Sequence, residues 1–346
     1  MRKLLSLLLA LSLPLTLLSG CGENGRSSGN SEIIEFEAQT WTLTFSGGRQ
    51  SPEGLAASRF ASGVYEATNG AVTVELIPCY ENSGGDAWTG LQDVADGTIS
   101  MGMYSSLTCE GLDPRLGIVS LPFLFSSAEA ADVILDGSGG EVLGEILSEH
   151  GLYCAAIGET GFHCPTNSQR PITSPADLEG LNIRVTDSDI IQEAYRLWGA
   201  HCITADWPLV YTALRTGKYD GQEVPLITAD AASVQSVQKY LTHWTGIYGC
   251  LYFCMNQALY DSLSPALREI MDQCGQDAME FQRDSNRQTE EEILSSWRKS
   301  KVSITELTEE QAAVFREAAQ PCYDRFAQDC SAELLSIFTG EDVKSC

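Results

Sequence analysis

The sequence is poor in positive charge. It has 21 Lys and Arg residues against 47 Asp and Glu, which makes a formal net charge of −26 at pH 7. The long-range field of so acidic a chain repels polyanions, so nucleic acid and an anionic membrane surface are excluded as expected partners. Because a bound anion needs local positive groups, each basic residue in a cleft is a distinctive feature.

The sequence also lacks the motifs of the common enzyme, cofactor and metal classes. It has four histidines: His150, His163, His201 and His243. They form no HExxH motif, no nucleophile elbow is present, and no GxGxxG follows Gly47 and Gly48. No CxxC or Cys/His pair has zinc-site spacing. We therefore expect no catalytic residues, no cofactor and no metal; an extracellular hydrolase is the distant alternative.

Long apolar runs are confined to the N-terminus. Residues 4–18 are apolar and follow two basic residues, but the run is too short for a comfortable membrane span. The motif Leu18-Ser19-Gly20-Cys21 matches a bacterial lipobox, which predicts a signal peptide over residues 1–21 and a lipid on Cys21. Residues 22–38 then form a flexible polar tether outside the membrane. The alternative is an ordinary cleaved signal with Cys21 as one more thiol.

Cysteine is abundant, with twelve residues in the chain. Without Cys21 the number of cysteines is odd. If the others form disulfides, at least one cysteine is therefore a free thiol or forms an intermolecular bond. Buried reduced thiols are the alternative, and the disulfide pattern stays open.

The remainder of the chain alternates between short strands and helices. Strands WTLTF, VTVELI and ISMGM are separated by helices, and a helical pattern runs from Ser264 to about Lys299, with a break expected near Gly275. This alternation predicts an α/β fold with a doubly wound, mainly parallel sheet, and the length of 346 residues predicts two lobes. In such sheets ligands bind beyond the carboxyl ends of strands, which makes Gly48, Tyr104 and Ser105 candidate site residues.

The stretch from Gly161 to Pro225 contains the strongest candidate. In the strand LNIRV, Arg184 points away from the face shared by Ile183 and Val185. It lies near the strand's end, before a helix with free N–H groups, where an anion is favoured. The alternative is a surface ion pair with Asp187 or Glu179.

Ordered motifs over roughly Trp41 to Ala327 carry a family resemblance. They are GFxxxTNSxRPIxxPxDLxGLxIRV, YTALxTGxxDGQExP, LPFLF and VQKYL. The sequence resembles the substrate-binding proteins of TRAP (tripartite ATP-independent periplasmic) transporters, the DctP family. The resemblance implies a two-lobed, periplasmic-binding-protein-like (type II-like) fold with a hinge and a long spine helix. Lobe I would comprise residues 39–160 and 249–288, lobe II residues 161–248 and 289–335, and residues 336–346 a C-terminal tail.

The resemblance also implies roles for site residues. Arg184 would pair with a ligand carboxylate in bidentate fashion, as a planar guanidinium permits. Trp207 would pack on the ligand, although a core tryptophan is as good an interpretation. Gln222 and Glu223 would lie in the cleft wall; alternatively they flank a turn and face water.

The sequence departs from the family pattern at three positions. His163 replaces an arginine, Val224 replaces an asparagine, and Ser105 stands where some sialic-acid binders have an acidic residue. A second cation and an amide are missing, so a compact dicarboxylate is disfavoured. With Tyr104 nearby, we expect a monocarboxylate with an apolar or aromatic body. His163 remains a candidate donor or cation.

The function that follows is capture of a small organic acid by an extracytoplasmic, monomeric lipoprotein. It would deliver the acid to the small and large membrane subunits of an ion-gradient-driven TRAP permease. The alternatives are a ligand-sensing lobe for a membrane kinase and the binding lipoprotein of an ABC importer.

Overall fold

The computed structural model describes residues 35–80 and 85–340. The predicted signal peptide, Cys21 and most of the tether lie outside these residues, as does the chain after Gly340. All the elements below lie in one compact unit that begins at Phe36. In the described part of the chain, no helix combines the length and apolarity that a membrane crossing requires.

Ten strands form one connected sheet in the described residues. They are β1 (Gln39–Phe45), β2 (Val72–Pro78), β3 (Met101–Ser105), β4 (Leu152–Asn167), β5 (Asn182–Val185), β6 (His201–Thr204), β7 (Gly221–Pro225), β8 (Tyr240–His243), β9 (Tyr248–Asn256) and β10 (Ser303–Glu306). The main path is β2-β1-β3-β9-β4-β7-β5-β6, with β8 beside β4 and β10 beside β8.

Thirteen α-helices cover the sheet in the same residues. They are α1 (Pro52–Ala67), α2 (Ala87–Ala95), α3 (Ser106–Glu110), α4 (Ala128–Leu135), α5 (Ser138–Glu149), α6 (Asp189–Leu197), α7 (Trp207–Thr216), α8 (Leu226–Ala231), α9 (Gln257–Ser262), α10 (Pro265–Arg298), α11 (Glu309–Ala318), α12 (Gln320–Phe326) and α13 (Ala332–Thr339). Residues 336–339, assigned to the tail from the sequence, belong to α13, where Phe338 is buried.

The outer strands are parallel, as predicted, but the middle of the sheet is not. β1 pairs in parallel with β2 and β3, and β5 pairs in parallel with β6 and β7. In contrast, β9 is antiparallel to both β3 and β4, and β4 is antiparallel to β7. The two long strands β4 and β9 thus join the two parallel halves.

The long strand β4 is continuous through residues that usually interrupt strands. It includes Gly158, Gly161 and Pro165, and its register against β9 shifts between Cys154 and Ala156 and again between Glu159 and Gly161. Gly161 has a φ of +90°, which a residue with a Cβ adopts only under strain. These irregularities bend the strand where the two halves of the sheet meet.

The long helix α10 runs unbroken through Gly275 and connects both halves. Ser264 caps it by accepting a hydrogen bond from the Leu267 amide, and Pro265 fits its first turn. At 34 residues it spans about 50 Å. Gly275 causes no break, since it allows close approach to β4: a Cβ there would lie 3.3 Å from the Ala155 Cβ.

Polar side chains of α10 hold the bent part of β4. Gln282 exchanges two hydrogen bonds of 2.8 Å with the backbone of Glu159. The buried Glu159 carboxylate accepts from Arg287 at 2.8 Å and from Asn286 at 3.2 Å. Arg283 donates to the Ile157 carbonyl at 2.6 Å. Because these groups satisfy each other, a charged cluster is stable inside the protein.

Candidate functional site

Arg184 lies at the carboxyl end of β5 and is only 7% exposed. Its Nε and Nη2 atoms donate to the Ala205 carbonyl at 3.3 and 3.2 Å, and Nη1 donates to the Thr186 hydroxyl at 3.3 Å. Burial lowers the pKa of Arg184 from its usual value, against the opposing effect of Glu223. The guanidinium is therefore held by neutral oxygens in a place with little water.

Arg184 forms no ion pair with a carboxylate of residues 35–80 or 85–340. The alternative of a surface pair is wrong, since Arg184 is buried and the Asp187 carboxylate instead accepts from Gln192 at 3.2 Å. A buried cation without a counter-ion is unfavourable in the free protein. An anionic ligand would supply the missing charge.

Trp207 packs on this guanidinium. It is the first residue of α7, and the Arg184 guanidinium carbon lies 5.5 Å from the centroid of its ring. The indole is partly buried and also contacts the apolar cluster beneath α7. Trp207 therefore contributes to the core, as the alternative interpretation proposed, and also covers the cation; its predicted packing on a ligand stays a prediction.

Gln222 and Val224 lie on the same face of the sheet as Arg184. Arg184 pairs in register with Gln222 across parallel strands, and alternate residues of a strand share a face. The Gln222 amide donates to the Thr166 hydroxyl at 3.1 Å, while its Oε1 is buried without a partner among the described residues. Val224 is buried in the apolar cluster with Cys164.

His163 and Glu223 form a buried pair on the opposite face of β4 and β7. His163 Nδ1 lies 2.5 Å from Glu223 Oε2, and Glu223 Oε1 accepts from the Thr186 amide at 2.6 Å. Burial alone would raise the pKa of Glu223, but His163 and Thr186 outweigh it and lower that pKa. The alternative interpretation, in which Glu223 faces water, is wrong, because its side chain has no exposure.

His163 has two further contacts within the second half of the sheet and its neighbouring loop. Besides the bond from its Nδ1, its Nε2 lies against Gly249, where a Cβ would come within 3.3 Å. Its backbone carbonyl accepts from the Trp244 indole at 2.8 Å. Through Glu223, the His163 side chain therefore links β4 and β7 to Thr186, the residue after β5.

Tyr104, Ser105 and Gly48 lie at the same edge of the other half of the sheet. Tyr104 is buried, burial raises its pKa, and its hydroxyl has no partner among the described residues. Ser105 caps α3 by accepting from the Thr108 amide at 3.3 Å. Gly48 is exposed, and a Cβ there would meet open space. Within the described residues, no hydrogen bond or ring contact links these three to Arg184.

Tyr80 is a residue of this edge that sequence reasoning missed. It follows β2, the parallel neighbour of β1, and its hydroxyl donates to the Asp93 carboxylate. That hydrogen bond, with partial burial, raises the pKa of Tyr80 to about 12. A Cβ on Gly90 would lie 3.0 Å from the Tyr80 ring and 3.1 Å from the Tyr104 hydroxyl. The signal available in the sequence was its place two residues after the end of a parallel strand.

A groove of about 690 Å³ lies elsewhere, between α5, β4 and α10. Its lining includes Asp136, Glu141, Glu145 and Glu280, and none of the predicted site residues. Four carboxylates against the single guanidinium of Arg283 make it unsuitable for an organic anion. We therefore place the candidate site at Arg184, where the buried positive charge suits an organic anion, and not in this acidic groove.

Two groups of side chains in the described residues have the types and spacing of metal ligands. Asp113, Glu149 and His150 form the first, but Arg115 lies 2.6 Å from Asp113 and 2.5 Å from Glu149. That arginine already neutralises the carboxylates. The second group is Cys164, His243 and Glu290, on the second half of the sheet.

Comparison with known proteins shows the family to which the chain belongs. The profile of the DctP family, bacterial extracellular solute-binding protein, family 7, matches residues 45–329. The 2,3-diketo-L-gulonate-binding periplasmic protein YiaO of Escherichia coli is 31% identical over 301 residues, which cover 86% of this chain and 90% of that protein.

Two crystal structures of TRAP periplasmic solute-binding proteins are similar in fold. The one from Ochrobactrum anthropi has a TM-score of 0.84 and 29% identity, over 88% of this chain and 94% of that one. The one from Ralstonia eutropha H16, with bound (S)-2-acetolactate, has a TM-score of 0.79 and 28% identity, over 88% of this chain and 99% of that one.

Proposed function

The chain belongs to the DctP family of bacterial extracellular solute-binding proteins, and we propose that it captures a small organic acid through Arg184 for delivery to a TRAP permease. Membership confirms the predicted α/β periplasmic solute-binding fold with its long helix α10. It also assigns the chain to transport outside the cytoplasm, in a family of binding proteins rather than enzymes.

The observation that carries the proposal is the buried Arg184 guanidinium, which has no anionic partner in the described part of the chain. The planar fork of Arg184 matches the two oxygens of a carboxylate, and the Trp207 ring limits its movement. Removing one partner of a buried ion pair costs about 3–5 kcal/mol, or at least about 100-fold in affinity. A neutral sugar or peptide would leave this charge unmatched.

We infer that the ligand is a monocarboxylate. The other cation expected from the family is absent, since His163 is held by Glu223. Val224 offers no amide to a second carboxylate. One relative is named for binding 2,3-diketo-L-gulonate, and the similar protein from Ralstonia eutropha H16 contains bound (S)-2-acetolactate; both are monocarboxylates that carry keto groups. The preference for an apolar or aromatic body rests on Trp207, Val224 and Tyr104.

Closure of two lobes around the ligand is the mechanism we propose. The lobes are those predicted from the sequence, residues 39–160 with 249–288 and residues 161–248 with 289–335. The bends of β4 near Gly161 support a hinge there. In this mechanism Gly48, Tyr104 and Ser105 approach Arg184 from the other half of the sheet, and the closed form is recognised by the membrane subunits.

Lipid on Cys21 would keep the protein at the membrane where those subunits lie. The lipobox supports this part of the proposal. Replacement of Cys21 by serine then releases the protein from the membrane fraction, while ligand binding is unchanged. Retention of the Cys21→Ser variant on membranes would contradict it.

A panel of carboxylates tested by thermal shift identifies the ligand. The expected result is that one small monocarboxylate raises Tm in the parent and fails to do so in Arg184→Gln. Stabilisation by a neutral sugar alone would overturn the proposal.

A further inference from the structure

Three different elements bring a thiol, an imidazole and a carboxylate together beside α10. Cys164 lies in β4, His243 ends β8, and Glu290 lies in α10. Their ligand atoms all lie within 4.8 Å of one another, and His243 Nε2 is 3.2 Å from Glu290 Oε1. No pair of them is close in sequence, so spacing motifs do not find them.

We propose that Cys164, His243 and Glu290 bind one Zn²⁺ ion. Zinc takes thiolate, imidazole and carboxylate ligands in tetrahedral geometry, in which ligand atoms lie roughly 3.5 Å apart. The three ligand atoms, all within 4.8 Å of one another, are already near this spacing. Three protein ligands leave a fourth position for water. A thiolate among the ligands selects zinc over calcium and magnesium, which prefer oxygen.

The charges around the cluster favour a cation. Upstream on the same face of α10, Arg283 and Arg287 neutralise Asp132, Asp136 and Glu159. One turn further, Glu290 has no arginine or lysine partner among the described residues, and its ion-pair partner is His243. A metal ion would provide the positive charge that an arginine provides to Glu159.

Access and burial also suit a metal site. Cys164 is fully buried and its Sγ donates to the Phe162 carbonyl at 3.6 Å, whereas the His243 and Glu290 side chains are 31% and 17% exposed. Zinc can therefore enter from the solvent side while the thiolate is shielded from oxidants. Binding displaces the thiol proton, so zinc affinity should increase with pH.

The structural effect would be to connect β4, just beyond Gly161, to β8 and α10. This site does not involve Arg184 or its contacts. It would stabilise the second half of the sheet whether or not a ligand is bound.

Equilibrium dialysis of the reduced, metal-free protein against Zn²⁺ tests the site. We expect one zinc per chain, with binding more than about 10-fold weaker in each of Cys164→Ser, His243→Ala and Glu290→Gln. Cys250→Ser, another fully buried strand cysteine, is the matched control and should bind zinc like the parent. Zinc should raise the Tm of the parent and of Cys250→Ser, and it should not raise the Tm of the other three variants.

Co²⁺ provides a direct spectroscopic readout. The parent should show tetrahedral visible bands and a thiolate-to-cobalt charge-transfer band, which Cys164→Ser removes and Cys250→Ser retains. If Cys164→Ser fails to fold, the zinc affinity of Glu290→Gln, a substitution on the helix surface, still tests the proposal. Zinc binding that none of the three substitutions weakens, or a parent that binds no zinc, would overturn the proposal.

Discussion

The Arg184 guanidinium lies over the Trp207 indole, with 5.5 Å between its central carbon and the ring centroid. This contact fixes the cation without supplying a negative charge. It makes Trp207 a residue that orients the guanidinium. We expect Trp207→Ala to weaken carboxylate binding by about 0.5–2 kcal/mol, and Trp207→Phe to weaken it less, as measured by titration calorimetry.

Tyr211, an aromatic further along α7, is the control for this prediction. Its hydroxyl bonds Ser236 at 3.2 Å, away from Arg184. Tyr211→Ala should leave affinity unchanged. Equal affinity of Trp207→Ala and the parent would show that the indole does not orient the cation.

The His163 and Glu223 pair should contribute mainly to stability. His163→Ala leaves the Glu223 carboxylate buried with one partner fewer, which costs about 3–5 kcal/mol. The double variant His163→Ala/Glu223→Gln should recover part of this loss, because the buried charge is gone. Urea unfolding measures both. If His163→Ala is as stable as the parent yet binds ligand poorly, His163 contacts the ligand instead.

The pH dependence of stability should depend in part on Glu110. Burial raises its pKa to about 7, opposed by the Ser188 hydroxyl, which donates to Glu110 Oε1 at 3.1 Å. A carboxyl group with a raised pKa in the folded state favours folding when protonated. Its contribution is complete below the unfolded pKa of about 4.3 and is lost as pH rises through 7.

Glu110→Gln should therefore raise Tm by more than about 2 °C at pH 8 and change it little at pH 4. Scanning calorimetry at both pH values checks this. An equal effect at the two values would mean that the charge of Glu110 is not the cause.

Much of the fold was predictable because it follows from local patterns. The alternation of Ile183, Arg184 and Val185 placed the guanidinium on one face of β5, and the structure has it there. Local chemistry also accounts for helix starts: Ser188 caps α6 by accepting from the Ile191 amide. Thr308 and Gln311, three residues apart, form a capping box at α11.

The remainder depends on contacts between distant parts of the chain. His163 meets Glu223 because β4 and β7 pair antiparallel over a separation of 60 residues, which no local pattern encodes. The continuity of β4 through Gly161 and Pro165 depends on support from α10. For the same reason sequence spacing could not bring Cys164, His243 and Glu290 together. The prediction of no metal was therefore made without this cluster. The cysteines of the described residues are all unpaired thiols. The sequence had left both disulfides and reduced thiols open.

The most direct test is the affinity of the best carboxylate for Arg184 variants, measured by titration calorimetry. Arg184→Lys and Arg184→Gln should bind at least about 100-fold more weakly than the parent, because neither side chain offers a charged planar fork. Arg215→Ala, an exposed arginine of α7, should bind normally. Parent-like affinity in a folded Arg184→Gln protein would contradict the assignment of this guanidinium to the ligand's carboxylate.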